Sequence, residues 1–283
     1  MRPLFLLEQY SMNIRVVKSQ IENSFAVVEF LATEARDMRL TEIAHRLGLP
    51  RSGAHRLLTA LRSLGWVEQD LGTEQYRLSL KLSALGQRFL VSTRILDVCQ
   101  PVLDRVAEES RELVRLAVIQ GGELTTIAHA QGAQGTLVVQ SRIFPTLPLH
   151  VTASGKAWLA MLPDETALRI VLAAGFGEPG AFGPNALRSI NALQRELALT
   201  RQRGYGLAVE EAEPGVTGVA VSICPAQGIA QGVLAIVGPA LRMTPERIVQ
   251  VAAIASKAAD ELAMLWPLRL VVLDAIPHPR AVA

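Results

Sequence analysis

Arg51, Ser52, His55, Arg56, Thr59 and Arg62 fall one, three or four residues apart. On an α-helix those intervals place all six along one face. Each of these side chains can donate hydrogen bonds to phosphate oxygens or to base edges, and no acidic residue interrupts them. The intervening Ala54, Leu57, Leu58, Leu61 and Leu64 form the opposite, apolar stripe. Such a polar face, taken alone, is more often simply solvated, so the elements that hold it must decide. Thr41 at the start of the preceding helix, Gly53 in the first turn of this one, and Arg77 further on complete the set of candidate DNA contacts.

Catalytic chemistry is hard to build from the remaining residues. Gly155-Lys156 could open a phosphate-binding loop, but that motif needs glycine at 150 and serine or threonine at 157, where this chain has His150 and Ala157. No GxSxG nucleophile elbow is present. His45, His55, His129, His150 and His278 lack metal-ligand spacing. Glu210, Glu211 and Glu213 could in principle hold a metal or move protons, yet with no His or Asp beside them a solvated loop is the better reading. No catalytic residue, metal or cofactor is expected. An enzyme carrying an N-terminal interaction module is the alternative, and the lack of a paired catalytic constellation weighs against it.

The elements around the polar face follow from periodicity. Ile21, Phe25, Val28 and Leu31 mark a first amphipathic helix. A second is expected from Thr41 as N-cap, with Glu42 behind it and Ile43, Ala44 and Leu47 inward. Gly48 stops it, Leu49-Pro50 turns the chain, and a third helix runs from Arg51 to Gly65. Trp66–Gln69 and Gln75–Leu78 alternate like two strands about the tip Asp70-Leu71-Gly72-Thr73. Helix, helix-turn-helix and hairpin in that order make a winged helix-turn-helix. Through Arg88 the chain carries a net charge of +3, leaving −1 for everything after it. The small excess gathers where DNA would lie.

With 283 residues, 50% hydrophobic and 19% charged, the chain can fill two cores and is too apolar for extended disorder. Its net charge of +2 excludes a protein that coats nucleic acid along its whole surface. Cys99 and Cys224 stand alone, which fits a reducing, cytoplasmic setting and no disulfide framework. The opening apolar run ends at Glu8, too early for a signal peptide, and no run is long enough to cross a membrane. The first eleven residues, preceding Met12, are expected to be a dispensable arm. Leu268–Leu273 near the end could pair as an edge strand.

In the second half a long helix is expected over 94–115, bent or broken at Pro101. Leu116–Gln120 and Leu124–His129 read as a hairpin about Gly121-Gly122, and Leu137-Val138-Val139 as a further strand. Helices are expected at Gly155–Met161, Glu165–Ala174 and Ser189–Arg203. Strands follow at Tyr205–Val209, Val216–Cys224 and Val233–Val237, before a last helix from Thr244 to Leu265.

The string Leu40-Thr41-Glu42-Ile43-Ala44, Leu47-Gly48-Leu49-Pro50-Arg51-Ser52, His55-Arg56-Leu57-Leu58, Gly65-Trp66-Val67-Glu68 and Tyr76-Arg77-Leu78 resembles the DNA-binding half of the IclR family of bacterial regulators. His150–Ala157, Arg203-Gly204-Tyr205-Gly206 with Glu210-Glu211 and Pro214-Gly215-Val216, and Ala235–Pro239 are similar to its effector-binding half. The resemblance spans about Val17 to Leu265. It implies an α+β chain: an arm over 1–17, a winged helix-turn-helix over 18–82 and linker helices over 83–115. A GAF-like antiparallel-sheet effector domain would follow over 116–266, then a tail over 267–283. Double-stranded operator DNA and a small-molecule effector are the implied partners, with the chain a homodimer or homotetramer, away from membranes. A DNA-binding protein without a ligand is a further alternative, made less economical by the large second half.

The resemblance further implies an effector pocket formed by Thr152, Ala153, Ser154, Gly155, Ala208, Gly218, Ala235 and Val237, with Leu149 and Leu207 as walls. Ala208, Gly218, Ala235 and Val237 stand where relatives that bind small carboxylates tend to carry polar side chains. A hydrophilic acid there would lose its hydrogen-bond partners, at a cost of roughly 1–3 kcal/mol for each unmet polar group. The expected effector is therefore an aromatic or otherwise apolar organic acid, its carboxylate met by the Ser154 hydroxyl and by N–H groups opening the Gly155 helix. The alternative is that these strands merely pack as core.

Overall fold

A computed structural model describes residues 19–34, 36–140, 148–225 and 228–267. The arm and the possible edge strand at Leu268–Leu273 lie outside them. The chain divides into two compact units, Met1–Phe89 and Leu90–Ala283.

The first unit contains α1 (Gln20–Glu34), α2 (Leu40–Arg46), α3 (Arg51–Ser63), β1 (Val67–Gln69) and β2 (Tyr76–Leu78). Val27, Leu31, Met38, Ile43, Leu58, Leu61, Val67 and Tyr76 meet in its core. Gly48, at φ +63°, turns the chain between α2 and α3, a conformation glycine adopts without steric cost. Thr41 is not the N-cap of α2: the helix starts at Leu40, and the cap position falls to Arg39, two residues earlier. The Arg39 N–H donates to Glu42 Oε2 at 2.9 Å, so Glu42 fixes the start by reaching back over three residues. β1 and β2 pair antiparallel, Glu68 opposite Arg77. Met38 exchanges two backbone hydrogen bonds with Tyr76, at 2.9 and 2.8 Å, and so anchors the hairpin to the segment preceding α2.

α4 (Lys81–Thr93) follows, straddling the division between units. The second unit contains α5 (Ile95–Ser110), β3 (Leu113–Gln120), β4 (Glu123–Gln131), α6 (Ala153–Leu159), α7 (Asp164–Ala174), α8 (Ile190–Arg203), β5 (Gly206–Val209), β6 (Val216–Ile223), β7 (Gly232–Pro239) and α9 (Pro245–Leu265). The single helix expected over 94–115 is shorter: Arg94 and Arg111, both left-handed, bound α5, which runs on through Pro101. The strand expected at Leu137-Val138-Val139 is absent; those residues run as an irregular segment. The five strands form one antiparallel sheet in the order β4-β3-β7-β6-β5.

Alternation along the strands gives the sheet two different faces. Val114, Leu116, Val118, Val219, Ile223, Leu234 and Ile236 pack under α5 and α9. Ala117, Ala208, Ala220, Val233 and Ala235 face the other way, beneath Ala153, Ala157 and Trp158 of α6. The second face is lined mostly by small residues because α6 lies so close. A Cβ on Gly206 would come 2.2 Å from the Ala153 carbonyl oxygen, and one on Gly155 2.2 Å from that of Leu149.

Candidate DNA-contacting surface and ligand cavity

α3 separates its faces as the spacing requires. Ala54, Leu57, Leu58 and Leu61 are buried, while Arg51, Ser52, His55, Arg56, Thr59 and Arg62 are exposed. Leu64 departs from the expected stripe. It lies just beyond the helix and is 60% exposed. Gly53 is half-buried, with room on its helix face; a Cβ there would meet only Pro50 Cδ, at 3.8 Å. Thr41 is exposed within the first turn of α2.

The cations of this surface are not equivalent. Arg62 donates to Gln69 Oε1 at 2.5 Å. Arg77 pairs with Glu68 at 3.2 Å and with Asp37 at 3.5 Å, and the Glu68 hydrogen bond and charge raise its pKa further. Arg51 and Arg56 make no hydrogen bond or ion pair with the described residues. They can meet an external anion without first leaving an internal one. At the hairpin tip Asp70 Oδ1 accepts from the N–H groups of Gly72 and Thr73, at 2.9 and 2.7 Å. These bonds, chiefly Thr73's, hold its carboxyl below the usual range.

The second unit holds a cavity of about 70 Å³ between the α6 face of the sheet and the segment leading to β6. That is several times the ~10–15 Å³ a single ordered water needs. Thr152, Ala153, Ser154, Ala208, Gly218, Ala235 and Val237 all line it. Sheet register brings the strand residues together: Ala208 lies opposite Gly218, and Gly218 opposite Val237. Gly155, Leu149 and Leu207 do not line it. Gly155 instead allows α6 to pack on the Leu149 backbone. Its N–H, expected to meet a ligand carboxylate, donates to Thr152 Oγ1 at 3.1 Å. The helix cap thus occupies the donor that a carboxylate would need.

Sequence reasoning missed two charged members of the lining, Arg115 and Glu213. Arg115 stands on β3 opposite Ala235. Its Nη2 donates to the Gln140 carbonyl at 3.2 Å, and its buried Nε has no partner among the described residues. Burial lowers its pKa, and the charge of Glu213 opposes that shift. The signal was a lone arginine in the apolar run Leu113-Val114-Arg115-Leu116-Ala117. The acidic cluster is no uniformly solvated loop either. Glu210 Oε1 accepts from the Gly215 N–H at 2.7 Å, and Glu211 is buried. Glu211 Oε1 lies 2.5 Å from Nζ of the fully buried Lys156, which also donates to the Leu207 carbonyl at 2.8 Å. That pair ties α6 to the segment after β5, two walls of the cavity. Among the described residues no group of three or more His, Cys, Asp and Glu side chains could hold a metal, and no helix is long and apolar enough to cross a membrane.

A winged helix-turn-helix with free cations on its recognition face, and a second unit enclosing a small cavity, define a DNA-binding transcription regulator. The model of the IclR helix-turn-helix domain matches residues 20–71, and that of the bacterial transcriptional regulator IclR C-terminal region matches 87–264. The chain belongs to the IclR family. Transcriptional repressor IclR of Escherichia coli (strain K12) is 31% identical over 241 residues, 85% of this chain and 87% of the relative. A crystal structure described as an IclR-type regulator from Silicibacter superposes with a TM-score of 0.75 at 26% identity, covering 87% of this chain and 95% of that one. An IclR homolog from Microbacterium hydrocarbonoxydans, crystallised with 4-hydroxybenzoate, matches at TM-score 0.69 and 26% identity over 87% of this chain and 98% of its own. Such relatives are transcription regulators rather than enzymes, which sets the enzyme alternative aside.

Proposed function

We propose that this regulator is a repressor whose operator affinity is set by a small aromatic or apolar organic acid held in the cavity of the second unit. The observation that carries the reading is the lining itself. Ala208, Gly218, Ala235 and Val237 offer no side-chain hydrogen bond, while Arg115, Thr126, Gln140, Thr152, Ser154 and Glu213 supply polarity around them. The related protein that binds 4-hydroxybenzoate supports the same ligand class. DNA is met by Arg51, Ser52, Gly53, His55, Arg56 and Thr59 in the major groove, with Thr41, Arg62 and Arg77 nearer the phosphates. In this reading the DNA-binding part covers 18–82, the connection 83–115 and the effector part 116–266. The protein works in the cytoplasm, where its DNA is.

A homodimer or homotetramer completes the proposal. One recognition helix reads only a few base pairs, so specificity asks for two half-sites. α4 supports this: it buries none of its residues, although it carries Leu82 and Leu85, 42% and 40% exposed. A second copy is the partner that would cover such a stripe. The ligand is tested by thermal shift of the full chain with glyoxylate, pyruvate, benzoate and 4-hydroxybenzoate. A ligand at a hundredfold excess over its Kd adds roughly 2.7 kcal/mol. The aromatic acids should raise the midpoint, and stabilisation by the keto acids alone would overturn the reading.

A further inference from the structure

We propose that Arg115 receives the carboxylate of the effector and that Glu213, in the same cavity, limits that ligand to a single negative charge. The proposal rests on reading this cavity as the effector site. Among the described residues, Arg115 and Glu213 are the two ionisable side chains that line it; the rest of the described lining is neutral. A guanidinium has five N–H donors, and the only hydrogen bond Arg115 makes among the described residues is the one from Nη2 to Gln140. Its Nε–H is buried without an acceptor. A donor left so is costly, and the planar fork matches a carboxylate through two parallel bonds.

The neighbouring positions offer no rival of equal strength. Thr152 Oγ1 already donates to the Pro148 carbonyl and accepts from the Gly155 N–H. Ser154 and Thr126 can add one hydroxyl each, enough to orient a ligand and too little to neutralise it. A monoanion bound at Arg115 finds a compensating charge. A second carboxylate would share a small cavity with Glu213 and find no second cation among the described lining residues. The class is thus a monocarboxylate on an apolar or aromatic body, with dicarboxylates rejected.

The test is calorimetry of the full chain with benzoate, its neutral isostere benzamide, and terephthalate. Wild type should prefer benzoate to benzamide by about 10- to 100-fold, the ratio expected of a charge-assisted hydrogen bond, and should not bind terephthalate. Arg115→Met should abolish the preference, whereas Arg115→Lys, which keeps the charge without the fork, should weaken benzoate and retain part of it. Glu213→Gln should admit terephthalate while still binding benzoate. If Arg115→Met fails to fold, wild type and Arg115→Lys decide. Equal binding of benzoate and benzamide by wild type, or a preference surviving in folded Arg115→Met, overturns the assignment of Arg115 but leaves the cavity as the effector site. Rejection of terephthalate by Glu213→Gln as strong as by wild type overturns the role of Glu213. Absence of binding by all three compounds overturns this proposal and the effector reading together.

Discussion

Replacing Lys156 by methionine removes a buried cation while keeping nearly the same volume. Lys156 has no solvent-exposed surface, and its Nζ lies 2.5 Å from Glu211, 2.8 Å from the Leu207 carbonyl and 3.4 Å from Glu196. Glu196 keeps Arg203 at 2.6 Å and is spared. Glu211 is not: its Oε2 already lacks a partner among the described residues, and the variant leaves its whole carboxylate uncompensated. Breaking a buried pair from one side costs about 3–5 kcal/mol. For a unit of this size that lowers the midpoint by roughly 6–20 °C. Burial already raises the Glu211 pKa, with Lys156 pulling the other way, so the variant raises it further. A carboxyl whose folded pKa is raised loses stability as pH climbs through that value, so the deficit should be smaller at about pH 5 than at about pH 8. Adding Glu211→Gln should recover at least half of it. Denaturant unfolding at the two pH values measures all three quantities. A Lys156→Met loss below about 1 kcal/mol, or one independent of pH, would refute the argument.

Arg56→Ala should weaken operator binding about 5- to 150-fold, whereas Arg77→Ala should cost less because Arg77 must first leave Glu68 and Asp37; electrophoretic mobility shifts measure both. Gly155→Ala, which forces a Cβ to 2.2 Å from a backbone oxygen, should abolish stable folding of the second unit. Gly53→Ala has space and should stabilise the first by about 0.5–1 kcal/mol, as read by thermal melts. Leu85→Glu should dissociate the oligomer by placing charge on the exposed stripe of α4; light scattering checks it, and a monomeric wild type with specific DNA binding intact would overturn the oligomer.

The parts legible in the sequence were those where one physical signal dominates. The polar and apolar faces of α3 separate cleanly because every residue type agrees with its position. Gly48 marks its turn because few other residues tolerate that backbone. Thr244, whose hydroxyl accepts from the Arg247 N–H, caps α9 as Thr-Pro-Glu suggests. Expectations failed where two signals compete or where a partner is distant. Thr41 looked like a cap, but Glu42 bonds to the backbone of Arg39 and moves the start. Leu137-Val138-Val139 has strand-forming residues but pairs with no neighbour in the sheet. Lys156 and Glu211 are 55 positions apart, so each looked unexplained alone. Arg115 was hidden for the same reason: its place in the cavity depends on β7 and on the segment before β6, far along the chain.

In the proposed mechanism ligand and DNA compete for one conformational equilibrium. This competition is tested most directly by fluorescence anisotropy of the full chain on DNA from upstream of its own gene, titrated with and without saturating benzoate or 4-hydroxybenzoate. Coupling of this kind is commonly about 1–3 kcal/mol. One of these acids should therefore weaken DNA binding roughly 5- to 150-fold. Unchanged DNA affinity with the acid shown to be bound would contradict it.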